Sequence, residues 1–317
     1  VFDLKVNNLH TNLIPYDNMI TIYKRMIWMI CFVSISSVSA QTLLNGFFPK
    51  QKELTIASSY SFKSYNNFYI GETLSDTNPM DMGEISSSIL SIYGEYGVLD
   101  WLSTTVTIPY VSTKNETGIL DPVLEESQVE GVQDLSFFLK AKVLDKKFSN
   151  ASKLSLGGAT GVTLPVGGYE EAGILSIGSG ATAYEGCGFL QYQTSSNLFI
   201  ELQAAYSLRN NPDFEIPNAM VYSAKLGYYN KWFYTHAKIG VQNSLSGFDI
   251  GSQEFVDAGG PNALPETEVD YANFYFDIYV PIYKQNFGIS SGYAVNVDGK
   301  NYDNASSFSV GLVYKTN

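Results

Sequence analysis

The sequence carries little with which to staple, chelate or catalyse. Beyond residue 40 it keeps one cysteine, Cys187, and one histidine, His236. A lone thiol cannot close an intrachain disulfide, and one thiol plus one imidazole is too few for a zinc site built from those ligands. Charge is scarce as well: only 16% of residues are charged, and acidic residues outnumber basic ones 31 to 19, for a net charge of −12. Binding to a phosphate backbone needs concentrated Lys and Arg, so nucleic acid is excluded as a partner. After residue 41 no apolar run approaches 18 residues. That excludes a membrane protein built from helices.

What the chain does have is apolar and aromatic weight: 45% hydrophobic, 14% aromatic, with 23 Tyr and 27 Gly. That is too apolar for disorder, and the Tyr and Gly content favours strands over helices. Near the N-terminus, Lys24 and Arg25 precede an apolar run from Met26 to Val38, and Val38-Ser39-Ala40 offers small residues before Gln41. This is the pattern of a secretory signal peptide. The run is too short to cross a hydrocarbon core of ~30 Å. Residues 1–18 then read as an over-extended N-terminus upstream of Met19 or Met26, residues 19–40 as the signal peptide, and residues 53–317 as the folded body. Cleavage at Gln41 removes Lys5, Lys24, Arg25, Asp3 and Asp17, leaving 16 basic and 29 acidic residues and a net charge of −13.

The body is written with period two. Leu135, Phe137, Leu139, Ala141 and Val143 alternate with Ser136, Lys140 and Lys142, with Phe138 as an exception. Leu198, Ile200, Leu202, Ala204 and Tyr206 alternate with Glu201, Gln203 and Ser207, and Ala272 to Val280 repeats the pattern against Tyr271, Asn273, Asp277 and Tyr279. In a strand these sets fall on opposite faces. About twelve such segments reach the ~10 residues that a tilted membrane strand needs. They span 53–64, 85–96, 101–112, 133–144, 152–165, 179–193, 197–208, 218–229, 231–243, 269–280, 285–296 and 305–315. The connections alternate between short and long, as do the periplasmic turns and extracellular loops of outer-membrane barrels. The expected fold is therefore all-β, a transmembrane antiparallel up-and-down barrel of about twelve strands in the bacterial outer membrane. Tyr60, Phe62, Trp101, Tyr110, Tyr206, Tyr228, Trp232, Phe233, Tyr293 and Tyr314 lie near strand ends, where interfacial girdles form. A soluble β-sandwich also alternates, but its connections need not alternate in length.

If the apolar faces meet lipid, the polar faces line the lumen. That side holds Lys63, Glu95, Lys140, Lys142, Lys153, Glu185, Glu201, Lys225, His236, Lys238 and Asp277. Lipid would penalise a mid-depth Lys by ~2–4 kcal/mol, so the membrane alone suffices to turn these charges inward. The aromatic residues Phe138, Tyr271, Tyr275 and Tyr279 share the lumen and can either stack on an apolar ligand or fill space. Gly157, Gly158, Gly186 and Gly188 mark either kinks or relief of crowding. Leu43 to Pro49, within the stretch 41–52, either tucks into the periplasmic end as a plug or forms a disordered lead-in. The acidic loops 113–132 and 244–268 read as solvated outer faces with no EF-hand spacing, so no metal site is expected.

Catalysis has no support in this inventory. Outer-membrane phospholipases carry the nucleophilic Ser two positions after the catalytic His, whereas Tyr234-Thr235-His236-Ala237-Lys238 has Lys there. Gly157-Gly158-Ala159-Thr160-Gly161 lacks the Lys-Ser/Thr ending of a phosphate-binding loop. No enzymatic activity is expected.

Several stretches resemble a known family: Tyr93-Gly94-Glu95-Tyr96-Gly97-Val98-Leu99-Asp100-Trp101-Leu102, Ile108-Pro109-Tyr110-Val111, Gly131-Val132-Gln133-Asp134-Leu135 and Gly161-Val162-Thr163-Leu164-Pro165-Val166-Gly167. They resemble the outer-membrane transporter family associated with meta-pathway phenol degradation, itself distantly similar to long-chain fatty-acid outer-membrane transporters. The chain departs from that pattern at Gln133, where the family tends to have Gly, and at its end, where Lys315-Thr316-Asn317 follows Tyr314. The resemblance implies a passive, cofactor-free conduit for small apolar or aromatic solutes, surrounded by outer-membrane lipid and inserted by the barrel assembly machinery. The alternative is a structural or adhesive barrel that binds partners through its acidic loops.

Overall fold

The computed structural model describes residues 44–316; the signal peptide and the stretch upstream of it lie outside the described residues. The strands are β1 (Leu54–Tyr65), β2 (Phe68–Ile70), β3 (Thr73–Ser75), β4 (Ile85–Leu99), β5 (Leu102–Asn115), β6 (Gln128–Val132), β7 (Asp134–Lys147) and β8 (Lys153–Pro165). They continue as β9 (Thr182–Gln193), β10 (Leu198–Asn210), β11 (Ala219–Tyr229), β12 (Tyr234–Ser244), β13 (Asp270–Tyr283), β14 (Phe287–Lys300) and β15 (Ser306–Lys315). All barrel pairings are antiparallel between neighbours, and β1 pairs with both β4 and β15. The sheet therefore closes on itself as a barrel of twelve strands, with β6 and β7 forming one strand interrupted at Gln133. Closure leaves no open edge, as hydrocarbon requires.

Alternation sorts the wall into two surfaces. On β10, Ile200, Leu202, Tyr206 and Leu208 are exposed outward, while Glu201, Gln203 and Ser207 are buried inside. Phe138, the exception in its segment by residue type, is no exception in geometry: it points inward beside Lys140 and is buried. Most of the girdle aromatics are exposed on the outer wall, among them Tyr60, Trp101, Tyr110 and Trp232. Phe233 differs, because it follows the tight turn into β12 and lines the lumen's periplasmic end.

Close packing explains two strand glycines. Gly157 lies opposite Phe189 and Gly227 opposite Phe199 across the ladder. A Cβ at either position would drive into the facing ring, so each glycine lets an aromatic side chain lie flat against its neighbour strand. Gly186 and Gly188 have no such neighbour, since a Cβ there would meet nothing within 4 Å. The turn 194–197 is tight, and Asn197 adopts φ 65°, a left-handed conformation that Asn tolerates better than most residues.

The long connections are not loose. The small hairpin β2–β3 and the loop 245–269, which contains α1 (Gln253–Asp257) and a 3₁₀ turn (Gly260–Glu266), come together outside the barrel. An apolar core forms there from Phe68, Met82, Leu175, Ile250 and Phe255 together with Tyr65 and Ile85 from the strand ends. Polar residues pin it. The Asp121 carboxylate accepts the backbone N–H groups of Val123 (2.8 Å), Leu124 (3.2 Å) and Leu175 (2.9 Å). Asn301 Oδ1 accepts from the N–H of Gly71 at 2.9 Å and of Ile250 at 3.0 Å. Lys300 bridges Glu268 at 2.7 Å and Asp249 at 3.1 Å. Several acidic loop residues are thus occupied in holding a folded cap.

Candidate functional site

The register places the eleven lumen candidates in bands. Glu201, Lys225, Lys238 and Tyr275 occupy consecutive cross-strand positions on β10 to β13. His236 and Asp277 form the neighbouring rung, and Tyr279 lies one inward position further along β13. Glu95 and Lys140 face them from β4 and β7, with Lys142 beside Lys140. Tyr271 stands apart, near the extracellular end of β13, stacked on Tyr302 with ring centroids 4.7 Å apart.

Two ion pairs hold the inner half. Lys140 Nζ is 2.6 Å from Glu95 Oε1, and Lys225 Nζ is 2.7 Å from Glu201 Oε1. Lys140 is 0% and Glu201 1% exposed, so both charges depend on these partners. Between the two pairs runs the chain segment 44–49. Lys140 Nζ also donates to the carbonyls of Asn45 (2.6 Å) and Phe47 (2.8 Å), and the Gly46 N–H donates to Glu201 Oε2 at 3.0 Å. Gln203 donates to the Leu44 carbonyl, while Gln191 donates to Glu201 Oε2 at 2.8 Å. The segment is clasped by groups that would otherwise need water.

Its side chains complete an aromatic nest. The Phe47 ring meets Phe199, Tyr229 and Tyr234 edge-on at 5.1, 5.8 and 5.9 Å. Phe48 packs on Phe189 at 5.7 Å and lies under the ammonium groups of Lys140 at 4.7 Å and Lys142 at 5.3 Å. Edge-on aromatic contacts are each worth ~0.5–1.5 kcal/mol beyond buried area. A cavity of about 670 Å³ opens at this periplasmic end, lined by Phe47, Phe48, Phe138, Phe233 and Tyr234 among others. That volume suits a small-molecule pocket.

The remaining candidates do other work. Lys142 pairs with Asp145 at 3.0 Å, and Asp145 also takes Lys153 at 3.0 Å. Lys238 lies over the Tyr275 ring, 4.0 Å from its centroid. His236 Nε2 is 3.3 Å from Asp277 Oδ2, while His236 Nδ1 and the Tyr279 hydroxyl are buried without a hydrogen-bond partner among the described residues. Glu185 accepts from Thr163 at 3.1 Å, and Lys63 pairs with Asp303. Among the described residues, no group of three His, Cys, Asp or Glu side chains is placed to hold a metal.

A second cavity of about 410 Å³ lies toward the extracellular end. Arg209, Gln242, Tyr271, Ile177 and Ile216 contribute to its wall, as does Asp134. The Asp134 carboxylate accepts the Tyr169 hydroxyl. Burial, reinforced by that carboxylate, raises the Tyr169 phenol well above its ordinary range, so it stays a proton donor. The alternation in the sequence ends this segment at 208 and leaves Arg209 in the following connection, whereas β10 runs on to Asn210 and turns Arg209 inward.

Closed antiparallel strands with an apolar outer face and an inner wall of ion pairs define a β-barrel of the bacterial outer-membrane type. The fold is similar to that of an outer membrane channel from Pseudomonas putida F1, at 11% identity and a TM-score of 0.68 over 87% of this chain and 100% of that one. It is less similar to the β domain of the Bordetella autotransporter BrkA, at 11% identity and a TM-score of 0.42 over 83% of this chain and 99% of that one. No curated protein matches the sequence. Residues 93–290 match the family described as "Putative MetA-pathway of phenol degradation", and the chain belongs to that family.

Proposed function

We propose that this channel passes small hydrophobic or aromatic compounds across the outer membrane, passively and without chemical conversion. The observation that carries the reading is the aromatic character of the inner cavity. A hydrophilic pore would line its narrow end with water-binding groups. Here Phe47, Phe48, Phe138, Phe233 and Tyr234 supply the aromatic part of the wall, among polar residues such as Thr105, Gln191 and Ser290, and the buried Glu95 beside it is paired with Lys140. Offset and edge-on contacts with such rings hold aromatic solutes while losing little to desolvation. The family's association with phenol degradation agrees with cargo of this class. No cofactor or coupled energy source takes part in the proposed passage, so flux follows the gradient.

The test is flux through reconstituted protein. Liposomes with a lipopolysaccharide outer leaflet, which slows apolar permeants, should take up naphthol several-fold faster with the protein than without it, and arabinose little faster. Acceleration of arabinose but not naphthol would reject the cargo class. No acceleration of either would reject the transport reading.

A further inference from the structure

Arg209 is one of only two arginines in the sequence, the other being Arg25. It projects inward near the extracellular end of β10, in the wall of the outer cavity. Its guanidinium donates to Gln242 Oε1 at 3.0 Å, to the Pro217 carbonyl at 3.4 Å and to Ser207 Oγ at 3.4 Å. All three acceptors are neutral, and two of the contacts are long. The other charged residues of the cavity wall are engaged differently. Lys63 is paired with Asp303, and Asp134, on β7 with two strands intervening, accepts the Tyr169 hydroxyl. The nearest carboxylate is Glu185, cross-strand from Ser207: its charge acts on Arg209, but it accepts from Thr163 and lies beyond ion-pair distance of the guanidinium.

An always-charged, half-buried fork whose direct acceptors are all neutral gains from an anion in contact with it, and its planar geometry matches a carboxylate's two oxygens. The rest of the cavity is not anion-like. Its wall is mixed: Ile89, Val111, Ile177, Ile216 and Leu264 supply aliphatic patches and Tyr271 and Tyr302 ring faces, between hydroxyls and amides such as those of Thr113, Ser244 and Gln242. At about 410 Å³ the space falls within the range of small-molecule pockets. We propose that the outer cavity binds aromatic or branched aliphatic carboxylates, with the acid group on Arg209 and the hydrocarbon against the aliphatic wall. As a step on the way inward this rests on the transport reading above, and it narrows the cargo from apolar compounds in general to those carrying one carboxylate.

The experiment is titration calorimetry on the full chain in detergent micelles with two ligands of one shape, 4-isopropylbenzoate and 4-isopropylbenzyl alcohol. The carboxylate should bind about ten-fold tighter, in line with a charge-assisted pair. The preference should vanish in Arg209→Gln and be reduced but not lost in Arg209→Lys, which keeps the charge without the fork, with folding verified by the heat-dependent gel mobility of the barrel. Equal affinities in the unaltered protein would overturn the proposal even if Arg209→Gln did not fold. So would a preference that Arg209→Gln leaves intact, which would put the anion elsewhere. Liposome flux separates the two readings: if both ligands are carried alike, this inference fails while transport stands, and if neither is carried, transport fails.

Discussion

Removing Leu44 to Pro49 is expected to raise single-channel conductance in planar bilayers several-fold. The segment lies across the lumen between two ion pairs on facing walls, and it fills space with Phe47 and Phe48 as well as with backbone. Nothing in the barrel wall depends on it for pairing, because β1 begins at Leu54 and closes on β4 and β15 without it. Lys140 would lose two carbonyl acceptors yet keep Glu95, and Glu201 would lose one donor yet keep Lys225. Water can enter the widened lumen and solvate the freed donors. The barrel should therefore remain folded while its narrowest part widens, and an unchanged conductance would mean that ions pass by a route the segment does not block.

Glu201→Ala is expected to produce the largest loss of stability of any single lumen substitution. Glu201 is a node: it accepts from Lys225 at 2.7 Å, Gln203 at 2.7 Å, Gln191 at 2.8 Å and the Gly46 N–H at 3.0 Å. Truncation strands the Lys225 ammonium, and breaking one partner of a buried pair costs about 3–5 kcal/mol. The cost should appear as a lower urea midpoint for unfolding in lipid. The double variant Glu201→Leu with Lys225→Met should recover most of it, because replacing both partners leaves no uncompensated charge. It should loosen the segment 44–49 less than deletion does, because Lys140, Gln203 and the aromatic contacts of Phe47 and Phe48 still hold it. A double variant as unstable as Glu201→Ala would show that the network's hydrogen bonds, rather than the stranded charge, set the penalty.

The barrel wall was legible in the sequence because lipid on one side and polar lumen on the other leave a period of two in nearly every strand. The alternation of Leu198 to Tyr206 with Glu201, Gln203 and Ser207 maps directly onto outward and inward faces of β10. Strand ends were less legible. The segment expected at 133–144 continues outward as β6, because Gln133 interrupts the ladder without ending the strand: its N–H donates to the Pro109 carbonyl at 3.0 Å and its amide reaches Ile177. The hairpin β2–β3 and α1 left no long periodic trace, being three to five residues each and held by the cap's tertiary packing. Inward-facing charges could be named, but not matched. That Lys140 belongs to Glu95, and Lys142 to Asp145, depends on register and on how the wall curves, which no single strand records.

Apolar cargo is expected to rest in the aromatic inner cavity. Crystals soaked with a brominated aromatic such as 4-bromophenol test it most directly, because bromine's anomalous signal marks the occupied position. A peak is expected inside the barrel among Phe48, Phe138 and Tyr234. Bromine found only on the lipid-facing wall, with the inner cavity empty at saturating ligand, would contradict it.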